Sequence, residues 1–183
     1  MLQNSTTNYF WDEAIIAALQ YESELRISVY PKKHTAVEAG SFASQVNASA
    51  VKLENASAIN IVGTVYEPSL YRDAAARVDD HEFPVLAQVF IRIYENDESM
   101  LNAYTYGLEK FGKQEIELLN SSLDLYELFN LIRNICADVI NEKPNLFSEQ
   151  INLSRCGKHF TFEESASNIF AVDTMKISVQ NQV

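Results

Sequence analysis

Between Tyr104 and Leu118 the chain twice alternates apolar and polar residues, a period of two that fits a half-buried strand and not a helix. Tyr104, Tyr106 and Leu108 interleave with Thr105, Gly107 and Glu109. After an interruption at Phe111 and Gly112, Ile116 and Leu118 interleave with Glu115 and Glu117. The expectation is two strands joined by a turn at Gly112, with both tyrosines on one face. Glu109, Glu115 and Glu117 are then the solvated side of a half-buried sheet. Gly107 falls inside the first strand, where a missing side chain fits a bulge or a close backbone approach.

The period changes to 3.6 immediately afterwards. Leu125, Leu128, Phe129, Ile132, Cys136, Val139 and Ile140 recur at helical spacing, predicting a helix over Leu123 to Glu142. Ser121 or Ser122 is the expected cap, Asp124 supplies an acid in the first turn, and Pro144 stops the helix. Upstream, the spacing predicts helices over Trp11 to Tyr21, Ala36 to Glu54 and Ser69 to Val78, the last opened by Pro68. Phe42, Val46, Ala50 and Leu53 mark the apolar face of the second of these. Strands are expected at Leu25 to Val29, Ala58 to Tyr66 and Pro84 to Tyr94. Short strands follow at His159 to Phe162, Ile169 to Val172 and Met175 to Val179, with Glu163 to Ser167 separating the first two. Hairpin-like strands mixed with helices argue for an α+β fold, a single-layer and mostly antiparallel sheet packed against about three to four helices. With 47% hydrophobic residues and no Gly/Ser-rich or Pro-rich linker, residues 1–183 read as a single domain with an adequate core.

One stretch also carries a resemblance. Tyr104-Thr-Tyr-Gly-Leu-x-x-Phe-Gly-Lys-x-Glu-Ile-Glu117 resembles the signature of a bacterial family of uncharacterised domains, in which Thr-x-Gly-Leu, a further Gly and Glu-Ile-Glu follow at similar spacing. Weaker similarity extends upstream through Phe10-Trp11-Asp12-Glu13-Ala14 and the Ala-rich middle, so that the resemblance is expected to cover most of the chain. The resemblance implies no activity, because the family has none established. The chain departs from the pattern after the long helix, where Asn145-Leu146-Phe147-Ser148 replaces an Asp-Gly-x-Thr-like turn.

Charge narrows the partners. Twenty-five acidic residues against 14 basic ones give a formal net charge of -11, which repels phosphate backbones and can attract a basic protein. No nucleic-acid partner is expected. No apolar run approaches the roughly 20 residues of a membrane-spanning helix, and the first residues lack the pattern of a secretory leader. A cytoplasmic protein with no membrane partner is therefore expected, with Cys136 and Cys156 as free thiols. The sequence leaves homo-oligomer formation open.

Chemistry-bearing motifs are sparse. Neither glycine-rich phosphate cradle occurs, and Gly107 to Lys113 is followed by a strand rather than a helix. Cys156-Gly-Lys-His159 is a lone C-x-x-H pair, short of a zinc set. Asp79-Asp80-His81-Glu82 could offer oxygens to a hard cation, but reads more simply as a polar loop. His34, His81 and His159 have no partner identifiable from sequence. No catalytic residue, metal or cofactor is assigned. The remaining candidate is a recognition patch of Tyr104 and Tyr106 with Lys110 and Lys113 near the turn, since tyrosines offer rigid contact area with a polar tip. The expected function is a non-catalytic protein-binding module whose acidity suits a basic partner; the alternative is a carboxylate-based hydrolase, metal-assisted or not, around Asp79 to Glu82 or Glu109 to Glu117.

Overall fold

The computed structural model describes residues 11–76, 78, 82–142 and 159–180. The chain divides into two compact units, 1–90 and 91–183. Among the described residues there are five α-helices and seven strands in two sheets, an α+β fold whose larger sheet is mostly antiparallel.

In the first unit, α1 (Ala14–Gln20) buries only Ala14 and Ala18, leaving Ile15, Ile16 and Leu19 exposed. The predicted strand at Leu25 to Val29 does not form; residues 21–30 have no regular structure and Leu25 is exposed. Alternation alone supplies no neighbour, and a strand needs a ladder to satisfy its backbone. A complete capping box opens α2 (Ala36–Ala50): the Thr35 hydroxyl accepts from the Glu38 N–H, and the Glu38 carboxylate accepts from the Thr35 N–H. Its buried face is Gly40, Ser44 and Asn47, not the predicted Phe42 and Leu53, which are exposed.

The run expected as one strand over Ala58 to Tyr66 is instead a hairpin, β1 (Ile59–Ile61) and β2 (Thr64–Tyr66). Val62 and Gly63, both at positive φ (45° and 91°), make its two-residue turn. Val62 is the surprising partner, since a β-branched residue is poorly suited to that region. Then Glu67 caps α3 (Pro68–Ala75) by accepting from the Ser69 and Leu70 N–H groups. The Pro84 to Tyr94 run splits as well: Val85–Gln88 is one helical turn, α4, before β3 (Phe90–Glu95) begins. The core here is Val51, Tyr66, Tyr71, Ala75 and Ala87. Polar groups are satisfied inside it: Asn47 Nδ2 donates to the Tyr71 hydroxyl (3.3 Å), Gln88 Nε2 to Ser44 Oγ (2.8 Å) and the Tyr66 hydroxyl to the Leu86 carbonyl (2.6 Å). Burial raises the pKa of Tyr71.

The second unit is built on a five-stranded sheet in the order β3, β4 (Leu101–Tyr106), β5 (Ile116–Ser121), β7 (Asp173–Gln180), β6 (His159–Ala166). Antiparallel pairing joins β4 to β5 and β6 to β7, while β5 and β7 run parallel. The expected strand at Ile169 to Val172 is the β6–β7 connection, and Glu163 to Ala166 lie inside β6. A bulge interrupts β4–β5 pairing between Leu101 and Ala103. Asn120 takes the left-handed conformation there (φ 54°), its N–H donating to Asn102 Oδ1.

The predicted long helix is α5 (Leu125–Ile140), burying Leu128, Ile132, Ile135, Cys136, Val139 and Ile140. Its cap is Asp124, which accepts from the Glu127 N–H (2.8 Å), rather than either serine. Buried Ala103, Thr105, Ile116, Leu118 and Ile177 share one sheet face by register. Cys136 of α5 lies close enough to feel the charge of Glu115 beside that face. No helix among the described residues is long and apolar enough to cross a membrane.

Candidate functional site: the aromatic face of the larger sheet

Gly107 does not lie within a strand. At φ 115° it ends β4 and opens a 3-10 turn, Leu108–Phe111, which Gly112 closes at φ 69°. Both glycines occupy the left-handed region that side chains disfavour. Leu108 and Phe111 point inward and are buried. Glu115 holds the turn from below. Its carboxylate accepts from the Gly107 N–H (2.7 Å), the Glu109 N–H (3.3 Å) and the Thr105 hydroxyl (2.7 Å). Thr105 Oγ1 in turn accepts from the Ile116 N–H (2.8 Å). The spacing Thr-x-Gly-Leu followed by Gly and Glu is thus the description of one turn and the carboxylate that collects its N–H groups.

The expectation of a solvated carboxylate face fails for two of its three members. Glu109 is exposed, but Glu115 is buried and Glu117 is 0% exposed. The ladder begins only at Ile116, so Glu115 precedes it and is free of the strand's alternation. Glu117 does obey alternation, sharing a face with its cross-strand partner Tyr104. It is buried because the β6–β7 connection folds over it: Ser167 Oγ donates to one carboxylate oxygen and the Asn168 N–H to the other (3.3 Å).

That connection completes an aromatic ladder. Ser167 Oγ accepts from the Ile169 and Phe170 N–H groups (2.9 and 2.8 Å), a tight turn that sets Phe170 against the tyrosines. Tyr106 stacks on Phe170 with centroids 6.2 Å apart and planes 21° apart. Tyr104 meets Phe170 edge-on at 5.7 Å, and Tyr94 of β3 meets Tyr104 edge-on at 6.3 Å. Such geometries add to plain area burial. Burial raises the Tyr104 pKa, with Arg92 opposing and Tyr94 assisting. Tyr106 keeps 48% of its surface in water, and Ile169 and Val172 of the same connection are exposed.

The two lysines take no part in these ring contacts. Lys110 sits exposed in the 3-10 turn; partial desolvation lowers its pKa, against the pull of Glu115. Lys113 Nζ pairs with Glu142 at 2.7 Å, and this bond and charge lower the Glu142 pKa. Lys113 also lines a half-open groove of about 210 Å³ with Gly112, Gln114, Ile116, Val139 and Met175. Those neighbours belong to the α5 side, opposite Tyr104. The structure therefore links Tyr104 and Tyr106 through Phe170, adds Tyr94 beside Tyr104, and keeps Lys113 away from them.

Asp79, Asp80 and His81, Cys156, and Asn145 to Ser148 lie outside the described residues, as does the His159 side chain. No group of three or more His, Cys, Asp or Glu placed to hold a metal ion occurs among the described residues. Sequence reasoning missed Tyr94, Glu117's clasp and Phe170. Only Tyr94 left a signal, as the last aromatic of an apolar run.

No curated protein and no solved structure matches the chain. Residues 104–177, running from the tyrosine ladder of β4 into β7, are similar to the family described as Domain of unknown function (DUF4261).

Proposed function

We propose that this chain is a non-catalytic protein-binding module of a bacterial cytoplasmic protein, and that it takes a basic protein partner on the aromatic face of its larger sheet. The observation that carries this reading is the ladder of Tyr94, Tyr104, Phe170 and Tyr106, four rings on the sheet face turned away from α5, the last half in water. Rigid aromatic surface with polar tips suits interfaces. The acidic balance favours a basic partner. Glu115 and Glu117 speak for binding rather than hydrolysis, because each carboxylate is occupied in holding the chain's own turn or loop. A general base would need to reach a substrate proton.

The test is affinity capture from the source cell with the intact chain and with a folded Tyr104→Ala/Tyr106→Ala variant. A basic protein retained by the first, lost with the second and released as salt rises supports the reading. Equal retention by both chains refutes this face as the site.

A further inference from the structure

We infer that the outer end of the aromatic ladder is a seat for an arginine side chain on a basic protein segment, and that Glu117 positions the seat by fixing the connection that carries Phe170. This rests on the binding reading above and narrows it to one chemical group.

Tyr106 and Phe170 stack nearly parallel, and Tyr106 is the exposed member. An exposed ring face attracts a cation through its π electrons. A guanidinium is planar and more weakly hydrated than an ammonium, so it stacks on such a face more readily than lysine does. Ile169 and Val172, exposed in the same connection, offer apolar ground for the arginine stem. The chain's net charge of -11 favours a positive group, and exposed acids lie at this end of the sheet. β4 ends, and β5 and β7 begin, at this end of the sheet. Exposed Glu109 follows Tyr106 in the 3-10 turn, exposed Asp173 follows the Phe170 connection, and Glu163, in register with Lys176 and Glu117 on the Tyr104 face, is exposed on β6. Against these acids stand Lys110, exposed in the same turn, Arg92, whose charge reaches Tyr104, and Lys176, in register between Glu117 and Glu163, while Lys113 pairs with Glu142 on the α5 side.

Glu117 acts through other groups. Its carboxylate accepts from Ser167 Oγ and the Asn168 N–H, and Ser167 Oγ accepts from the Phe170 N–H. A continuous run of hydrogen bonds thus leads from β5 to the residue that backs Tyr106, which makes Glu117 a positioning residue.

The experiment is a ring-resonance NMR titration of the full chain with a blocked Gly-Arg-Gly-Arg-Gly peptide, against the same peptide with citrulline for arginine. The expected result is saturable shifts at Tyr106 and Phe170. Citrulline should bind about two- to fivefold more weakly, the ratio a cation–π contact at an exposed ring can supply. Tyr106→Ala should abolish the response. Glu117→Gln should weaken it severalfold and move the free Phe170 resonances while those of α5 stay in place. Citrulline binding as well as arginine overturns the proposal. So does a folded chain whose rings ignore the arginine peptide; if a partner protein still binds through Tyr104 and Tyr106, only the arginine seat has failed. Shifts at Tyr106 that grow with protein concentration alone assign the patch to a second copy of the chain and also overturn it.

Discussion

The two faces of the larger sheet follow opposite rules. On the α5 side, aliphatic residues close the core and the buried carboxylate of Glu115 serves a turn. On the other side aromatic rings dominate, and the buried carboxylate, Glu117, serves a connection that comes from fifty residues further along the chain. One face is organised by periodic hydrophobic burial, the other by a few directed bonds. Residues of the first should answer mainly to stability, and outer residues of the second mainly to binding.

The largest test of that division is Ile132→Ala. Ile132 is 0% exposed, and truncation should cost about 2 to 5 kcal/mol in a denaturant titration. A loss under 1 kcal/mol, the size of a surface change, would remove the distinction between faces. Next, Glu115→Ala leaves the Gly107 N–H and the Thr105 hydroxyl without their acceptor, and should cost about 1 to 3 kcal/mol. Hydrogen exchange at Gly107 should quicken as the turn loosens; unchanged protection would mean the carboxylate does not hold it.

Cys136 gives a third, pH-dependent test. Burial, with the Glu115 charge adding to it, pushes the thiol's pKa far above its ordinary value of 9.0. The folded chain therefore keeps the proton where the unfolded chain loses it. The stability tied to the thiol is complete below pH 9 and declines as pH rises beyond it, by at most about 1.4 kcal/mol per pH unit. The gap between wild type and Cys136→Ala should narrow on titration from pH 8 to pH 10, two values about one unit either side of the thiol's ordinary pKa. A gap that widens would reverse the sign. The smallest effect is Tyr106→Ala, expected to cost no more than about 1.5 kcal/mol, the worth of its stack on Phe170, since half of the ring is already wet. A larger loss would assign Tyr106 to the core and weaken its claim to recognition.

What the sequence reveals follows the same division. The helix α5 could be read because Leu128, Ile132, Cys136, Val139 and Ile140 of its repeat coincide with the buried stripe, although Leu125 at its start is exposed. Tyr104 and Tyr106 could be placed on one face because β4 is regular there. The Pro84 to Tyr94 run misled, since a continuous apolar stretch suits a helical turn and a buried strand equally. In α2 the apolar spacing of Phe42 and Leu53 pointed the wrong way, because Ser44 and Asn47 find hydrogen-bond partners inside. Phe170 and the burial of Glu117 were out of reach of any local pattern. They depend on a tertiary contact made across fifty positions.

The place of β7 has a consequence for synthesis. It is an inner strand, lying between β5 and β6, yet residues 173–180 leave the ribosome after every other strand of its sheet. Until then β5 has an open edge carrying Ile116 and Leu118, and the β6–β7 pairing that makes up β5's parallel neighbour cannot exist. Long-range and parallel pairings form slowly, and an unpaired apolar edge invites pairing with other chains. The nascent protein thus passes through a stage at which its most aggregation-prone surface waits for its late-made strand, and chaperone dependence should be concentrated in that interval.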